Sequence, residues 1–278
     1  MDIRYGVAED IGLRDAMEDS YAIWDMATEF FGAEVFDGHA GPSAATLAAE
    51  FLMPHFLSEY RHTREDAAVP RRPVPELIRE AYLATDRYIV GRGAESGTAA
   101  ATLYIQGERF YAANAGDSRV VIGAGSKAVQ LTLDHKPGLP EERTRIEVLG
   151  GSVISWGVPR VQGILAMSRA LGDPGLKPFV SPEPRVVEGL FGRENDVAVI
   201  ACDGVWDVMM TEEAVGLARM ADDPEQGAAQ IVRRALERGS TDNVTVIVLD
   251  LRARTAELTR ETMEIVGVLD YATLRAAD

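Results

Sequence analysis

Two apolar runs in this chain stop at the same dipeptide. Phe30 to Phe36 runs into Asp37-Gly38, and Asp196 to Cys202 runs into Asp203-Gly204. Short runs of this composition, bounded by turn residues, read as buried β-strands, and Asp-Gly is a tight-turn pair. The chain is thereby constrained to form sheets whose strand ends carry carboxylates. Further strands are predicted over Tyr5 to Ala8, Ser20 to Asp25, Thr98 to Gln106, Arg109 to Ala113, Ser118 to Ile122, Ala128 to Leu131 and Asn243 to Leu251. Helical spacing of apolar residues predicts helices over 41–60, from Leu77 to Ile89, around 141–149, and over 211–220 and 224–238. Arg61 to Pro75 is charged, proline-bearing and aperiodic, which predicts a surface loop. Ser155 to Pro184 is rich in Gly and Pro, and a loop of that length in a domain is commonly functional.

No linker separates two cores. The reading is one α+β domain with two sheets and flanking helices over 1–252, followed by a C-terminal extension, 253–278, expected to be helical. At 278 residues the chain can bury a substantial single core. With 44 acidic and 28 basic side chains its formal charge is -16, which argues against nucleic acid and anionic membranes as partners. Cys202 is the sole cysteine, so no intrachain disulfide forms, which fits a reducing cytoplasm. The first ten residues lack the basic and apolar pattern of a signal peptide, and no apolar run approaches the ~20 residues that span a bilayer.

Candidate chemistry lies in the carboxylates. Asp37 and Asp203 follow strands, Asp242 precedes one, Glu18 and Asp19 lie between two, and Asp117 sits in the turn NAGDSR. At any one of these places an Asp is ordinary turn chemistry. Together they put several carboxylates where strand ends can converge, and buried carboxylates repel unless cations neutralise them. Oxygen-only ligands favour Mg²⁺ or Mn²⁺, and four histidines with one cysteine supply a zinc site poorly. Cys202 is a weak candidate nucleophile: the position six residues on, where a phosphate-wrapping loop needs arginine, is Val208. Ser96 and Ser118 have no histidine in a recognisable relay with them, so turn roles suit them better.

The ordered stretches RDAMED (from Arg14), DGHAG (from Asp37), SGTAA (from Ser96), NAGDSR (from Asn114), LTLDHKP (from Leu131), RIEVLGG (from Arg145), RVQGILAMSRALGD (from Arg160), CDGVWD (from Cys202) and STDNVTV (from Ser240) make the chain resemble the metal-dependent protein phosphatases of the protein phosphatase 2C type, from about Tyr5 to Leu251. The resemblance implies a four-layer α-β-β-α sandwich, a central antiparallel β-sandwich flanked by helices. It implies a monomeric serine/threonine protein phosphatase using two divalent ions, Mn²⁺ or Mg²⁺, with room for a weaker third. Phosphorylated proteins would be its substrates and a serine/threonine kinase its opposite number. Asp37 would bridge the two ions and the Gly38 carbonyl would bind one of them. Asp203 and Asp242 would serve the other. Glu18 and Asp19 would act through bound waters, and Asp117 with Asp203 would hold the third ion. Arg14 would grip the phosphate, since its planar fork donates paired hydrogen bonds. His39 would protonate the leaving alkoxide while a metal-activated water attacks phosphorus.

Two departures stand out: Ala99 replaces the second threonine of SGTTA, and Gln162 replaces the asparagine of RVNG. Neither removes an implied ligand. His135 is read as a structural residue orienting its loop, and Trp156 as either a substrate contact or a cover over apolar surface. Two other functions compete: a non-catalytic relative that binds a kinase, which would be expected to lack metal ligands, and a phosphatase of small phosphorylated metabolites. The net charge of -16 carries one expectation of its own. At low salt, phosphopeptides with basic flanks should show higher kcat/KM than acidic ones, and the gap should narrow as salt screens it.

Overall fold

The computed structural model describes residues 3–26, 29–65 and 70–270. The first half contains β1 (Arg4–Asp10), β2 (Ser20–Asp25), β3 (Phe31–His39), α1 (Ser43–Glu65), α2 (Val74–Gly91), β4 (Gly97–Gln106), β5 (Arg109–Ala115), β6 (Arg119–Ala124) and β7 (Lys127–Gln130). Then come α3 (Pro140–Val148), β8 (Val153–Trp156), β9 (Val158–Val161), β10 (Leu171–Gly172), β11 (Arg185–Leu190) and β12 (Asn195–Ala201). The chain continues with α4 (Asp203–Trp206), α5 (Thr211–Met220), α6 (Pro224–Glu237), β13 (Val244–Asp250), α7 (Arg252–Thr255) and β14 (Glu264–Leu269).

One sheet has the order β1-β13-β12-β6-β7, the other β14-β11-β5-β4-β3-β2 with β10 added beside β4. Every ladder between these strands is antiparallel. The sheets pack face to face through Phe31, Val35 and Leu103 on one side and Ile122, Ile200 and Ile247 on the other. Helices α1 and α2 cover the outer face of the second sheet, and α5 and α6 cover that of the first. The result is the expected α-β-β-α sandwich. Period-two alternation explains the uninterrupted apolarity of β12. Val197, Val199 and Ala201 face the helices while Ala198 and Ile200 face the other sheet, so neither face is polar.

Four stretches differ from the sequence expectation. Helix α1 runs on to Glu65, so 61–65 are helical rather than loop. Its last turns are held by Arg61, which pairs with Glu29 at 2.7 Å, and by Arg64, stacked 4.3 Å over the Tyr60 ring. Residues 66–69 of the expected loop lie outside the described residues. Part of the expected long loop is a hairpin, β8 with β9, turning at Gly157. No strand is predicted over Arg185–Leu190, where Glu188 and Gly189 interrupt the apolar run, yet β11 lies inside the sheet between β5 and β14.

The C-terminal extension is the clearest correction. Among its described residues only the stretch Arg252–Thr255 is helical, and Glu264–Leu269 pairs with β11 as an edge strand. Ile265, Val266 and Val268 suit a strand, and the open edge of β11 supplies the hydrogen bonds that a helix would have made internally. Just beyond β14, Asp270 reaches Arg169 at 2.9 Å; Arg169 is wholly buried and is also held by Glu142 at 2.6 Å. Residues 271–278 of the expected helix lie outside the described residues.

One buried carboxyl lies away from the strand ends. Glu34 is fully enclosed on the helix-facing side of β3, where Trp24 Nε1 donates to it at 3.1 Å and the Tyr104 hydroxyl donates to its other oxygen. Burial pushes its pKa up to about 8, although both hydrogen bonds pull it down. A carboxyl whose pKa is raised on folding costs stability progressively as pH climbs from its unfolded value, near 4.5, to about 8. The Tm of Glu34→Gln relative to wild type should therefore rise between pH 5 and 8 and level off above that, which thermal unfolding over a pH series would measure. Asp270→Asn should lower the unfolding free energy by about 1.5–3 kcal/mol, the range for a hydrogen bond to a charged partner, as read from urea denaturation.

Candidate active site

The acidic side chains converge at one end of the sandwich. Asp37 lies near the end of β3, opposite Ala99 of β4. Asp203 begins α4 directly after β12, and its backbone N–H donates to Asp37 Oδ2 at 3.2 Å. Asp117 sits in the turn between β5 and β6, buried. Oxygens of Asp37, Asp117 and Asp203 lie within 4.8 Å of one another. Asp19, just before β2, brings an oxygen equally close to Asp37 and to the Cys202 sulfur, and accepts from Thr245 Oγ1 at 2.7 Å. Asp37 is thus shared by two groups, one with Asp19 and Cys202 and the other with Asp117 and Asp203.

The backbone is fitted to this convergence. A side chain at position 38 would put its Cβ 2.1 Å from the Glu18 carbonyl oxygen, so Gly38 alone lets the β3 end close against the loop before β2. Asn243 fastens that loop: its Oδ1 accepts from the Glu18 N–H at 2.7 Å, and its Nδ2 donates to the Ile11 and Ala16 carbonyls at 2.9 and 3.0 Å. His135 shapes the turn that bears Asp117. Its N–H donates to the Gly116 carbonyl at 2.9 Å, and its ring Nδ1 lies 3.3 Å from the Gly116 nitrogen. Burial, followed by the Arg169 charge, drives the His135 pKa well down, so the ring is neutral and structural.

Crowding shifts the protonation of the cluster. Burial, then the charges of Asp203, Asp19 and Asp117, hold the Asp37 pKa well above the ordinary range. Asp203 is raised to about 8 by burial and then by Asp117 and Asp207, and Asp19 to about 6 chiefly by burial. Among the described residues, Lys136 offers a cation here, paired with Asp117. A single ammonium against four carboxylates leaves a strong deficit of positive charge. An all-oxygen set of this kind fits hard divalent cations.

The remaining sequence-predicted residues stand around this centre. Asp242 is close enough for its charge to raise both Asp19 and Asp203, and Arg14 Nη2 donates to its Oδ2 at 2.6 Å. Arg14 and Glu18 line a cavity of about 230 Å³ with Asp15 and Ala16. The Glu18 and Asp242 side chains are not among the groups that meet within 4.8 Å. His39 closes β3 and faces Asp173, with Nε2 2.9 Å from both carboxylate oxygens. Cys202 is buried, with its thiol pKa raised by burial and then by the nearby carboxylates, and it accepts from the Thr245 N–H at 3.1 Å. It is a packing residue rather than a nucleophile. Ser96 Oγ accepts from the Ala44 N–H at 3.0 Å, in the first turn of α1. Trp156 is 72% exposed on the β8–β9 hairpin and so covers little of the core.

Sequence reasoning assigned no role to Asp173, Lys136 or Asn243. Each lies inside a stretch singled out above, ending RVQGILAMSRALGD or within LTLDHKP and STDNVTV, but its partner is distant in the chain and visible only in the fold.

The protein phosphatase 2C family profile matches residues 5–244. "Probable protein phosphatase 2C 59" of Arabidopsis thaliana is 37% identical over 252 residues, covering 88% of this chain and 78% of that protein. "Probable protein phosphatase 2C member 13, mitochondrial" of Oryza sativa subsp. japonica is 40% identical over 256 residues, covering 89% and 68%. Among solved structures, a sex-determining protein of C. elegans superposes with a TM-score of 0.82 at 28% identity, covering 90% of this chain and 65% of that one. A serine-threonine phosphatase 2C from Toxoplasma gondii shares the fold, with a TM-score of 0.77 at 24% identity over 89% of this chain and 94% of that one. The chain belongs to the protein phosphatase 2C family, the metal-dependent serine/threonine protein phosphatases.

Proposed function

We propose that the carboxylate cluster binds two divalent ions, Mn²⁺ or Mg²⁺, and hydrolyses phosphoserine and phosphothreonine esters of proteins. The observation that carries this reading is the approach of Asp19 on one side, and of Asp117 and Asp203 on the other, to the buried Asp37 with too little positive charge beside them. Asp37, Asp203, Asp242 and the Gly38 carbonyl would hold the two ions, with Glu18 and Asp19 behind them. Asp117 with Asp203 would hold a third, in competition with the Lys136 ammonium. Ions bound there would acidify a water and offset charge on the phosphoryl oxygens.

The protein's own groups do the rest. Arg14 is half-exposed, so it can exchange Asp242 for a phosphate at little cost, and its fork matches two phosphoryl oxygens. As the attacking oxygen bonds to phosphorus, the ester P–O bond breaks and its electrons go to the serine or threonine oxygen. His39 gives that oxygen a proton, so the product leaves as an alcohol, and the neutral ring recovers a proton from solvent. We place the enzyme in the cytoplasm, as a monomer acting opposite a serine/threonine kinase; the lone, buried thiol of Cys202 suits a reducing compartment.

Hydrolysis of a phosphothreonine peptide by wild type with Mn²⁺ or Mg²⁺ should cease with excess chelator. Asp203→Asn should lower kcat/KM at least ~10²-fold; chelator-resistant turnover, or equal activity in the variant, would refute the mechanism. Metal binding should also appear as stabilisation, about 2.7 kcal/mol at a hundredfold excess over Kd. In thermal unfolding, Asp37→Asn should be no less stable than wild type without metal, because it removes a member of a repelling cluster. It should lose most of the rise in Tm that metal gives wild type.

A further inference from the structure

We propose that β14 and the Asp270 just beyond it form a releasable strap. Seated, the strap balances the charge of the buried Arg169 and so steadies residues 168–173, which border the active site. Unseated, it lets that segment loosen and activity fall. The effect on catalysis rests on the phosphatase reading above; the coupling of the strap to the segment does not.

The strand is lightly held along its length. The chain before it is fastened: the Arg193 and Glu194 N–H groups donate to the Arg260 and Glu261 carbonyls at 2.8 and 3.1 Å, and the Met263 N–H donates to Glu194 Oε1 at 3.1 Å. From Glu264 to Val268 every residue is exposed, and within β14 it is Leu269 that packs against the core. The ladder to β11 is irregular between Glu188 and Gly189. A cavity of about 210 Å³, lined by Pro73, Pro75, Val186 and Leu269 among others, lies between the strand and the start of α2. An edge strand that buries so little apolar surface belongs to the part of a fold that opens first.

Its far end carries a charge that the interior needs. Arg169 Nη1 donates to Asp270 Oδ1 at 2.9 Å and to the Glu183 carbonyl at 3.1 Å, while Nε and Nη2 donate to Glu142 Oε1 at 2.9 and 2.6 Å. Glu142 Oε2 accepts from Arg145 at 2.8 Å, and the Arg145 guanidinium also donates to the Ser168 and Phe179 carbonyls. In this network two guanidiniums face two carboxylates, and one of the carboxylates comes from the strap. Arg185 is close enough to feel the charges of both Asp270 and Arg169, and it adds to the positive side. With the strap unseated the interior keeps a guanidinium in excess, and a buried charge that has lost its partner is strongly destabilising. The family profile stops at residue 244, so the strap lies beyond the part of the chain it matches.

The segment that carries Arg169 lies against the site. The Ser168 N–H donates to the His135 carbonyl at 2.8 Å. Gly116, next to Asp117, sits so near that a Cβ there would lie 3.4 Å from the Arg169 carbonyl oxygen. Further on, Leu171 and Gly172 pair with Thr98 and Gly97, and Gly97 is in register with His39. Asp173 then faces the His39 ring at 2.9 Å. Residues 168–173 therefore touch both the turn that bears Asp117 and the end of β3, so their order depends on the same ion pair that seats the strap. One element with two arrangements, biased from the far edge of the sheet, is the physical requirement for coupling over this distance.

Native-state hydrogen exchange of the wild type in Mg²⁺, followed by mass spectrometry through low urea concentrations, reads the coupling directly. Peptides covering β14, 168–173 and 114–118 should open in one step, of lower free energy than the step that exposes β13 inside the other sheet. Opening of β14 by itself, or only together with β13, would overturn the proposal. Asp270→Ala should speed exchange at 168–173 and 114–118 while β13 and α6 exchange as in wild type. It should also lower kcat on p-nitrophenyl phosphate at least about fivefold, and Asp270→Glu should recover most of both effects. Unchanged kcat in Asp270→Ala would count against the strap. A chain carrying Glu188→Cys and Gly267→Cys tests the coupling without disturbing Asp270: the two positions are opposite each other in the ladder, and a Cβ at 267 meets nothing within 4 Å. Oxidised, this chain should slow exchange at 168–173 as well as in β14, and reduction should reverse both; protection confined to β14 would overturn the proposal. If wild type hydrolyses no phosphate ester with metal, the phosphatase reading falls, and the exchange measurements still decide whether the strap is coupled to the segment.

Discussion

Mutual repulsion among carboxylates is the constraint around which the rest of the molecule is arranged. Asp19, Asp117 and Asp203 are held against Asp37 by separate segments, and the energy required to keep them there comes from burial elsewhere. A large apolar side chain that is fully buried contributes ~1.5–3 kcal/mol, and the sandwich has three extensive apolar layers of such side chains. The sheets therefore act as a rigid frame, and the strained chemistry sits at their ends. Burial and mutual charge raise the pKa values of Asp37 and Asp203, and bound cations would relieve that strain.

Much of this frame was legible in the sequence because burial on both faces leaves a plain signature. The run from Asp196 to Cys202 could only be a covered strand, and its Asp-Gly ending located Asp203. The same reasoning found Asp37. What escaped depended on partners remote along the chain. Glu188 and Gly189 hide β11 by breaking its apolar pattern, and only the neighbours β5 and β14 make it a strand. Glu264–Leu269 has no helical destination in the fold, because an open sheet edge outcompeted local propensity. Arg61 to Glu65 became helix through Glu29 and Tyr60, contacts that charge and proline counts along the stretch could not reveal.

The site divides in the same way. Ligand-type residues were visible as acids at strand ends, while the groups that hold them were not. Asn243 ties the loop before β2, His135 shapes the turn before β6, and Asp173 faces His39 across Gly97. None of the three has a local pattern of its own, since turn chemistry accounts equally well for an Asn or an Asp in a loop. The last arises from register: a displacement of one residue between β3 and β4 would take His39 out of its place opposite Gly97.

The contact between Gly38 and the Glu18 carbonyl has a wider consequence. It is main chain against main chain, so the gap between the β3 end and the neighbouring loop is gauged by peptide units and cannot be retuned by exchanging side chains. Preference between ions of different radius would then be inherited from the scaffold itself. Altering it would call for changes in strand curvature or loop length, which a single substitution at a ligand cannot supply.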